Sequence, residues 1–188
     1  MKSEIKFKSS YIAFSAPSGT GKTTIVEYLV KKYPHLVTSV SATTRPKRPG
    51  EIDGIAYHFL SERQFEEYIN KGAFLEYEKV HGNYYGTLKA TVDKHISDRR
   101  TVLFDIDVNG ALSIKNKIPA AILIFLKPPY KDELITRLKN RKSETMESID
   151  KRLQRLSYEY EMSAKFDYVV INDKLEDAIK EIERIIID

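Results

Sequence analysis

The sequence predicts an α/β fold: a parallel β-sheet covered by helices on both faces, with two smaller insertions. Three observations carry this prediction. Short apolar runs of strand length alternate with segments whose apolar residues recur at helical spacing. A Gly-rich turn joins the first of these runs directly to the first helical pattern. Two stretches then break the alternation and are long enough to form lobes of their own.

Taken in chain order, Tyr11–Phe14 reads as a buried strand. It runs into Ala16-Pro17-Ser18-Gly19-Thr20-Gly21-Lys22-Thr23-Thr24, which departs from the phosphate-binding pattern G-x-x-x-x-G-K-[ST] only at its first position. Backbone N–H groups of such a loop wrap phosphates, its lysine reaches the terminal ones, and its threonine can hold Mg²⁺. The helix that follows points its positive end at the anion. Ala16 precedes Pro17, which steers it to extended backbone that any L-residue adopts, so no glycine is demanded there. Ile25, Val26, Leu29 and Val30 continue at helical spacing, and Leu36–Val40 reads as a short strand.

The first interruption, from about Ser41 to Thr87, carries Gly50, Gly54, Gly72, Gly82 and Gly86 among scattered tyrosines and alternating charge. Within it Ala56–Phe59 and Phe74–Val80 read as half-exposed strands. Ser61-Glu62-Arg63-Gln64 fits a capping box, flanked by Leu60 and Phe65 as a hydrophobic staple, so a short helix begins there. The alternation resumes with Val102–Ile106, followed by Ala111, Leu112 and Ile114. Ala120–Leu126 comes next, leading into Leu134, Ile135 and Leu138. Tyr168–Ile171 is the last apolar run, with Leu175, Ala178, Ile179, Ile182 and Ile186 after it. All four runs are expected as buried parallel strands. The second interruption, Pro128 to about Met162, is strongly charged and helical and is entered through Pro128-Pro129. So polar a helical stretch fits either a solvated hairpin or a mobile lid over phosphates. The expected organisation is one domain: a core of residues 1–40, 88–127 and 163–188, a small α+β lobe at 41–87 and a lid at 128–162.

Bulk properties narrow the function. A chain of 188 residues can bury one sizeable core. Its net charge of +4 favours anionic ligands, but no basic block interleaved with aromatic residues marks a nucleic-acid surface. No apolar stretch has the length of a membrane span, and the basic N-terminus lacks the apolar core of a secretory signal. The absence of cysteine leaves no disulfide framework and suits the cytoplasm.

Chemistry beyond a phosphate grip comes from three further places. Val102–Asp107 is an apolar strand ending in Asp105 and Asp107, a pattern expected for a Mg²⁺-associated carboxylate near a phosphate-binding loop, with Asp105 the nearer candidate acting through water. Arg45 and Arg48, three apart among hydroxyls, suit bidentate recognition of a second phosphate. Tyr57 and Tyr85 can add hydroxyl donors, and the carboxylate of Glu76 suits the N1–H and exocyclic amine of guanine. Residue by residue, the tyrosines equally fit packing, Glu76 a solvated face, and the arginines surface ion pairs.

The motifs in order (APSGTGKTT, SVSATTRPKRPGEIDGIAYHF, FLEYEKVHGNYYGT, LFDIDVNGA, RLKNR…ESIDKRL and VVIND) closely resemble those of the guanylate kinase family over nearly the full chain. The resemblance implies a P-loop kinase core, a GMP-binding lobe and a lid, and transfer of a phosphoryl group from ATP with Mg²⁺ to GMP or dGMP. Ser41, Glu76, Thr87 and Asp107 match family positions at the guanine base. Arg45, Arg48, Tyr57 and Tyr85 match those at the GMP phosphate, and Glu51 and Gly86 lie in the same matched stretches. Ala16 through Thr24 match the ATP-phosphate grip, with Lys22 catalytic and Thr23 on Mg²⁺. Asn172 and Asp173 match the segment beside adenine. Arg137, Arg141 and Arg152 match lid arginines that approach the transferred phosphate, and the four-residue spacing of the first two puts them on one helix face. Asn109 stands where the family usually has Gln, which leaves that contact open. A cytoplasmic monomer or homodimer is expected, with neither nucleic acid nor membrane as partner. Two rival readings are a non-catalytic guanylate-kinase-like module that binds phosphopeptides and a P-loop kinase for another phosphorylated acceptor.

Overall fold

The computed structural model describes residues 5–80, 82–130 and 146–188, and the side chains of these except for 146–153. In chain order the strands are β1 (Tyr11–Ser15), β2 (Leu36–Thr38), β3 (Ala42–Thr43), β4 (His58–Phe59), β5 (Phe74–Val80), β6 (Asn83–Leu88), β7 (Thr101–Asp105), β8 (Ile122–Lys127) and β9 (Tyr168–Ile171). The helices are α1 (Lys22–Lys32), α2 (Glu62–Asn70), α3 (Lys89–Ser97), α4 (Val108–Lys117), α5 (Met146–Met162) and α6 (Leu175–Ile186).

Five strands form a parallel sheet in the order β2-β7-β1-β8-β9. Period-two alternation divides its side chains between two faces. Ile12, Phe14, Leu103, Ile124 and Leu126 pack with Ile25 and Leu29 of α1 and Ile182 and Ile186 of α6. Ala13, Val102, Phe104, Leu123 and Phe125 pack on the other face with Val92 of α3 and Val108, Ala111 and Ile114 of α4. The result is three layers. Phe14, Phe104 and Phe125 are fully buried, and each contributes about 1.5–3 kcal/mol by leaving water.

A second sheet, β4-β3-β6-β5, lies between β2 and α3 in the chain. The ring of Phe65 from α2 fills its core, stacked 4.3 Å from Phe74 and 5.1 Å from Tyr84. The capping box forms as expected: Ser61 Oγ accepts from Gln64 N at 3.3 Å, and Gln64 Oε1 accepts from Ser61 N at 2.9 Å. Leu60 packs in the same cluster as Phe65.

Several expectations are corrected. β9 is not a buried strand but the sheet's edge, paired among the described residues with β8 alone; Val170 is buried while Tyr168, Val169 and Ile171 are exposed. Ala120 and Ala121 precede β8, in a turn closed by Ala121 N to Ile118 O at 2.9 Å. β3, β6 and α3 had no forecast. β6 carries Gly86 and paired tyrosines instead of an apolar alternation, and α3 buries only Val92. The helical pattern around Leu134, Ile135 and Leu138 lies outside the described residues. Among those described, no helix is long and apolar enough to cross a membrane.

Candidate active site

β1 ends at the point where successive strands depart to opposite sides, the crevice where open parallel sheets place ligands. There residues 16–21 turn the chain into α1. Thr20 folds the loop back on itself, its backbone N–H and its hydroxyl both donating to Pro17 O, at 3.2 and 2.7 Å. Gly21 caps α1 at φ +88°, with no side-chain cap and no acidic residue in the first turn. Among the described residues, the leading amides of α1 and its positive end therefore have no side-chain cap and no first-turn carboxylate to satisfy them. From the end of β9, Asn172 Nδ2 donates to Thr20 O at 2.7 Å. A Cβ at position 21 would sit 2.8 Å from that nitrogen, so Gly21 is required both by its left-handed φ and by this contact. Ala16 is under no such demand: among the described residues Arg99 is the one non-glycine with a left-handed φ.

Lys22 points from α1 to the end of β7. Its Nζ pairs with Asp105 Oδ1 and lies 3.3 Å from Ile106 O. Thr23 is exposed beside it. A hydroxyl and one carboxylate are hard oxygen donors that suit Mg²⁺, which usually takes one or two protein oxygens and completes its shell with nucleotide phosphates and water. Among the described residues no cluster of three or more His, Asp or Glu side chains could hold a metal alone. The donor set therefore fits an ion that arrives with a nucleotide.

A cavity of about 190 Å³ opens next to Lys22, lined also by Ser41, Tyr57, Glu76, Glu78, Tyr85, Gly86, Asp105 and Asp107. Its floor is Glu76 on β5, 4 % exposed. Thr87 Oγ1, opposite on β6, donates to Glu76 Oε1 at 2.5 Å. Burial pushes the Glu76 carboxyl up to about 7; the Asp107 charge adds to the shift, while the Thr87 bonds and Lys117 oppose it. The carboxylate can sit there because residue 110 is glycine: a Cβ at 110 would lie 2.7 Å from Glu76 Oε2. Asp107 is tied to the same helix start, its Oδ1 accepting from Asn109 N at 2.7 Å and Gly110 N at 3.0 Å as the N-cap of α4.

At the cavity's other end Arg45 is held by Glu51 in a two-pronged pair, Nη2–Oε1 2.7 Å and Nη1–Oε2 3.1 Å, and also donates to Pro46 O at 2.7 Å. The guanidinium lies 5.3 Å from the ring centre of Tyr57, which meets Tyr85 edge-on. Bonds from Arg45 and from Arg48 N hold the Glu51 carboxyl below its ordinary range, and Arg48 itself is exposed.

The structure thus brings Lys22, Asp105, Ser41, Tyr57, Glu76, Tyr85, Gly86, Thr87 and Asp107 together, with the Arg45–Glu51 pair against Tyr57. Asn172 reaches the loop from the far side, whereas the adjacent Asp173 is exposed. Arg137 and Arg141 lie outside the described residues; Arg152 falls on α5, with its side chain outside them. Asn109 keeps a contact despite its short side chain, accepting from Tyr158 Oη of α5 at 2.6 Å. Sequence reasoning missed Gly110, Glu78 and Arg155. Arg155 bonds Glu159 through Nε at 3.1 Å and places Nη2 3.7 Å from Asp107 Oδ2. No spacing rule marks these residues, because each faces the site only through packing between elements distant in sequence.

The sequence profile of the family described as guanylate kinase matches residues 8–188. A guanylate kinase of Chlorobium luteolum is 46 % identical over 181 residues, covering 96 % of this chain and 92 % of that protein. One from Gloeobacter violaceus is 44 % identical over 180 residues, covering 96 % and 88 %. Among solved structures, a guanylate kinase from Anaplasma phagocytophilum superposes with a TM-score of 0.78 at 26 % identity, covering 96 % of this chain and 86 % of that one.

Proposed function

The chain belongs to the guanylate kinase family, and on that premise we propose that it transfers the terminal phosphoryl group of ATP to GMP or dGMP, giving ADP and GDP or dGDP. One observation carries the reading: a single cavity is lined both by Lys22 of the phosphate-binding loop and by the buried acceptor carboxylate Glu76. A phosphate grip and a buried acceptor carboxylate therefore open onto one space.

The nucleophile is a GMP phosphate oxygen. With a second pKa of about 6, a phosphate monoester is mostly dianionic near neutrality, so no general base is needed. The obstacle is the repulsion between two polyanions that must meet in line, and positioning and positive charge remove it. The free amides of α1 and Lys22 take the ATP phosphates, Lys22 exchanging Asp105 for a phosphate oxygen. Arg45, already aligned by Glu51, and the hydroxyls of Tyr57 and Tyr85 take the GMP phosphate, with Arg48 joining from its exposed position. Mg²⁺, held by Thr23 and through water by Asp105, supplies charge neutralisation at the ATP phosphates when bound. Residues 41–87 act as the GMP-binding lobe and 128–162 as the lid, whose Arg137, Arg141 and Arg152 close on the transferred phosphate and exclude water.

Base selection lies with Glu76. Guanine offers N1–H and an amine to a carboxylate, whereas adenine's unprotonated N1 has no hydrogen to donate and would leave the buried Glu76 carboxylate short of a donor beyond Thr87. Ser41, Thr87 and Asp107 supply the remaining polar contacts. The work is done in the cytoplasm, by a monomer or homodimer.

A coupled assay with ATP, Mg²⁺ and a panel of GMP, dGMP, AMP, CMP, UMP and sugar phosphates tests this. Turnover confined to GMP and dGMP is the expected result. Turnover of a sugar phosphate alone would overturn it, and binding of GMP without turnover would favour a non-catalytic module.

A further inference from the structure

One carboxylate in the acceptor cavity has no partner: among the described residues nothing bonds or ion-pairs with Glu78, although it lines the same cavity as Glu76. Its direction follows from the strand. Successive side chains of β5 point to opposite faces, so Glu76, Glu78 and Val80 face the cavity while Tyr77 is exposed and Lys79 Nζ lies 4.6 Å from the ring centre of Tyr84 on the other side. The register with β6 sets two levels: Glu76 stands opposite Thr87, and Glu78 stands opposite Tyr85. Two residues of strand separate these levels by about 7 Å.

This inference rests on the GMP reading above. The hydrogen-bonding edge of guanine belongs at the inner level, on Glu76 and Thr87. The phosphate belongs beyond the outer level, on Arg45, Tyr57 and Tyr85. A nucleotide's sugar lies between its base and its phosphate, and so passes Glu78. An ionised carboxylate only accepts hydrogen bonds, and a phosphate dianion has none to donate. The ribose hydroxyls are the donors that a GMP molecule presents between those ends. An acidic side chain on the ribose 2′-hydroxyl is a solution that dinucleotide-binding folds also use. We propose that Glu78 is a specificity-determining residue of the acceptor site, accepting hydrogen bonds from the ribose 2′- and 3′-hydroxyls and so favouring GMP over dGMP.

The test is kcat/KM for GMP and for dGMP, at saturating ATP and Mg²⁺, in the wild type, Glu78→Ala and Glu78→Gln. Both substrates are measured on one preparation of each variant, so any loss of folded protein cancels in the ratio. A charge-assisted hydrogen bond from the 2′-hydroxyl corresponds to a preference for GMP of about tenfold or more in the wild type. That preference should fall to near one in Glu78→Ala, with Glu78→Gln between. A wild-type ratio near one, or a Glu78→Ala ratio equal to the wild-type value, overturns the assignment. So does an equal rise for both nucleotides in Glu78→Ala, which would mean that Glu78 merely repels the phosphate. If the wild type phosphorylates neither nucleotide, the GMP reading itself fails and takes this assignment with it. Turnover of GMP without discrimination removes the Glu78 assignment alone.

Discussion

Glu76→Gln should make the protein more stable at alkaline pH and worse at choosing its acceptor. The carboxyl has an ordinary value of 4.5 and is raised to about 7 in the folded protein, chiefly by burial. Between those values the folded state holds a proton that the unfolded state has released. Stability therefore falls as pH rises through this window, and the loss is complete above the folded value. At 1.36 kcal/mol per unit, the ionised carboxylate costs about 3 kcal/mol of folding stability. Glutamine keeps the volume and an acceptor for the Thr87 hydroxyl but does not ionise. Urea unfolding followed by circular dichroism, at several pH values from 5 to 8, reads the difference between variant and wild type. That difference should grow in the variant's favour by about 3 kcal/mol across the range, equivalent to several degrees in Tm. In the same preparation, selectivity for GMP over AMP should fall sharply, because an amide offers guanine one acceptor where the carboxylate offers two. Parallel stability curves would refute the burial argument, and unchanged selectivity would refute the role at the base.

Lys22→Ala should abolish turnover with GMP while circular dichroism shows an intact fold, since the Lys22–Asp105 pair is partly solvated and such pairs contribute at most about 1 kcal/mol. Gly110→Ala places a methyl 2.7 Å from Glu76 Oε2, so KM for GMP should rise roughly tenfold or more as the carboxylate is displaced, even though alanine favours the helix. Ala16→Gly should leave turnover within about twofold and lower stability by up to about 1 kcal/mol in thermal unfolding, because the backbone there needs no left-handed conformation and glycine adds freedom only to the unfolded chain.

Much of the architecture was legible in the chain itself. Tyr11–Phe14, Phe74–Val80 and Val102–Ile106 announce strands by apolar content, the Ser61–Gln64 box announces its helix, and the loop at residues 16–24 announces a phosphate grip. Each is a pattern closed within a few residues, where backbone preference and hydrogen bonding act locally. β6 and α3 escaped because glycine, tyrosines and sparse apolar residues give no clear period there; pairing of β6 with β5 and packing of Val92 of α3 with Val102 and Phe104 supply what local preference does not.

The site is a different matter. Its residue types could be read in order along the chain, but not how they meet. Lys22 pairs with Asp105, 83 residues on, because β1 and β7 lie side by side in parallel. Glu76 becomes a buried acid near neutrality only where Gly110 leaves room for it, and Arg45 is aligned only once Glu51 folds back on it. Glu78 is one more charge on a strand until the pleat and the register with Tyr85 turn it into the cavity. Local residue pattern sets which elements form and which chemical groups are present. Long-range packing then sets which of those groups share one low-dielectric space, where burial and proximity fix charge state and partner.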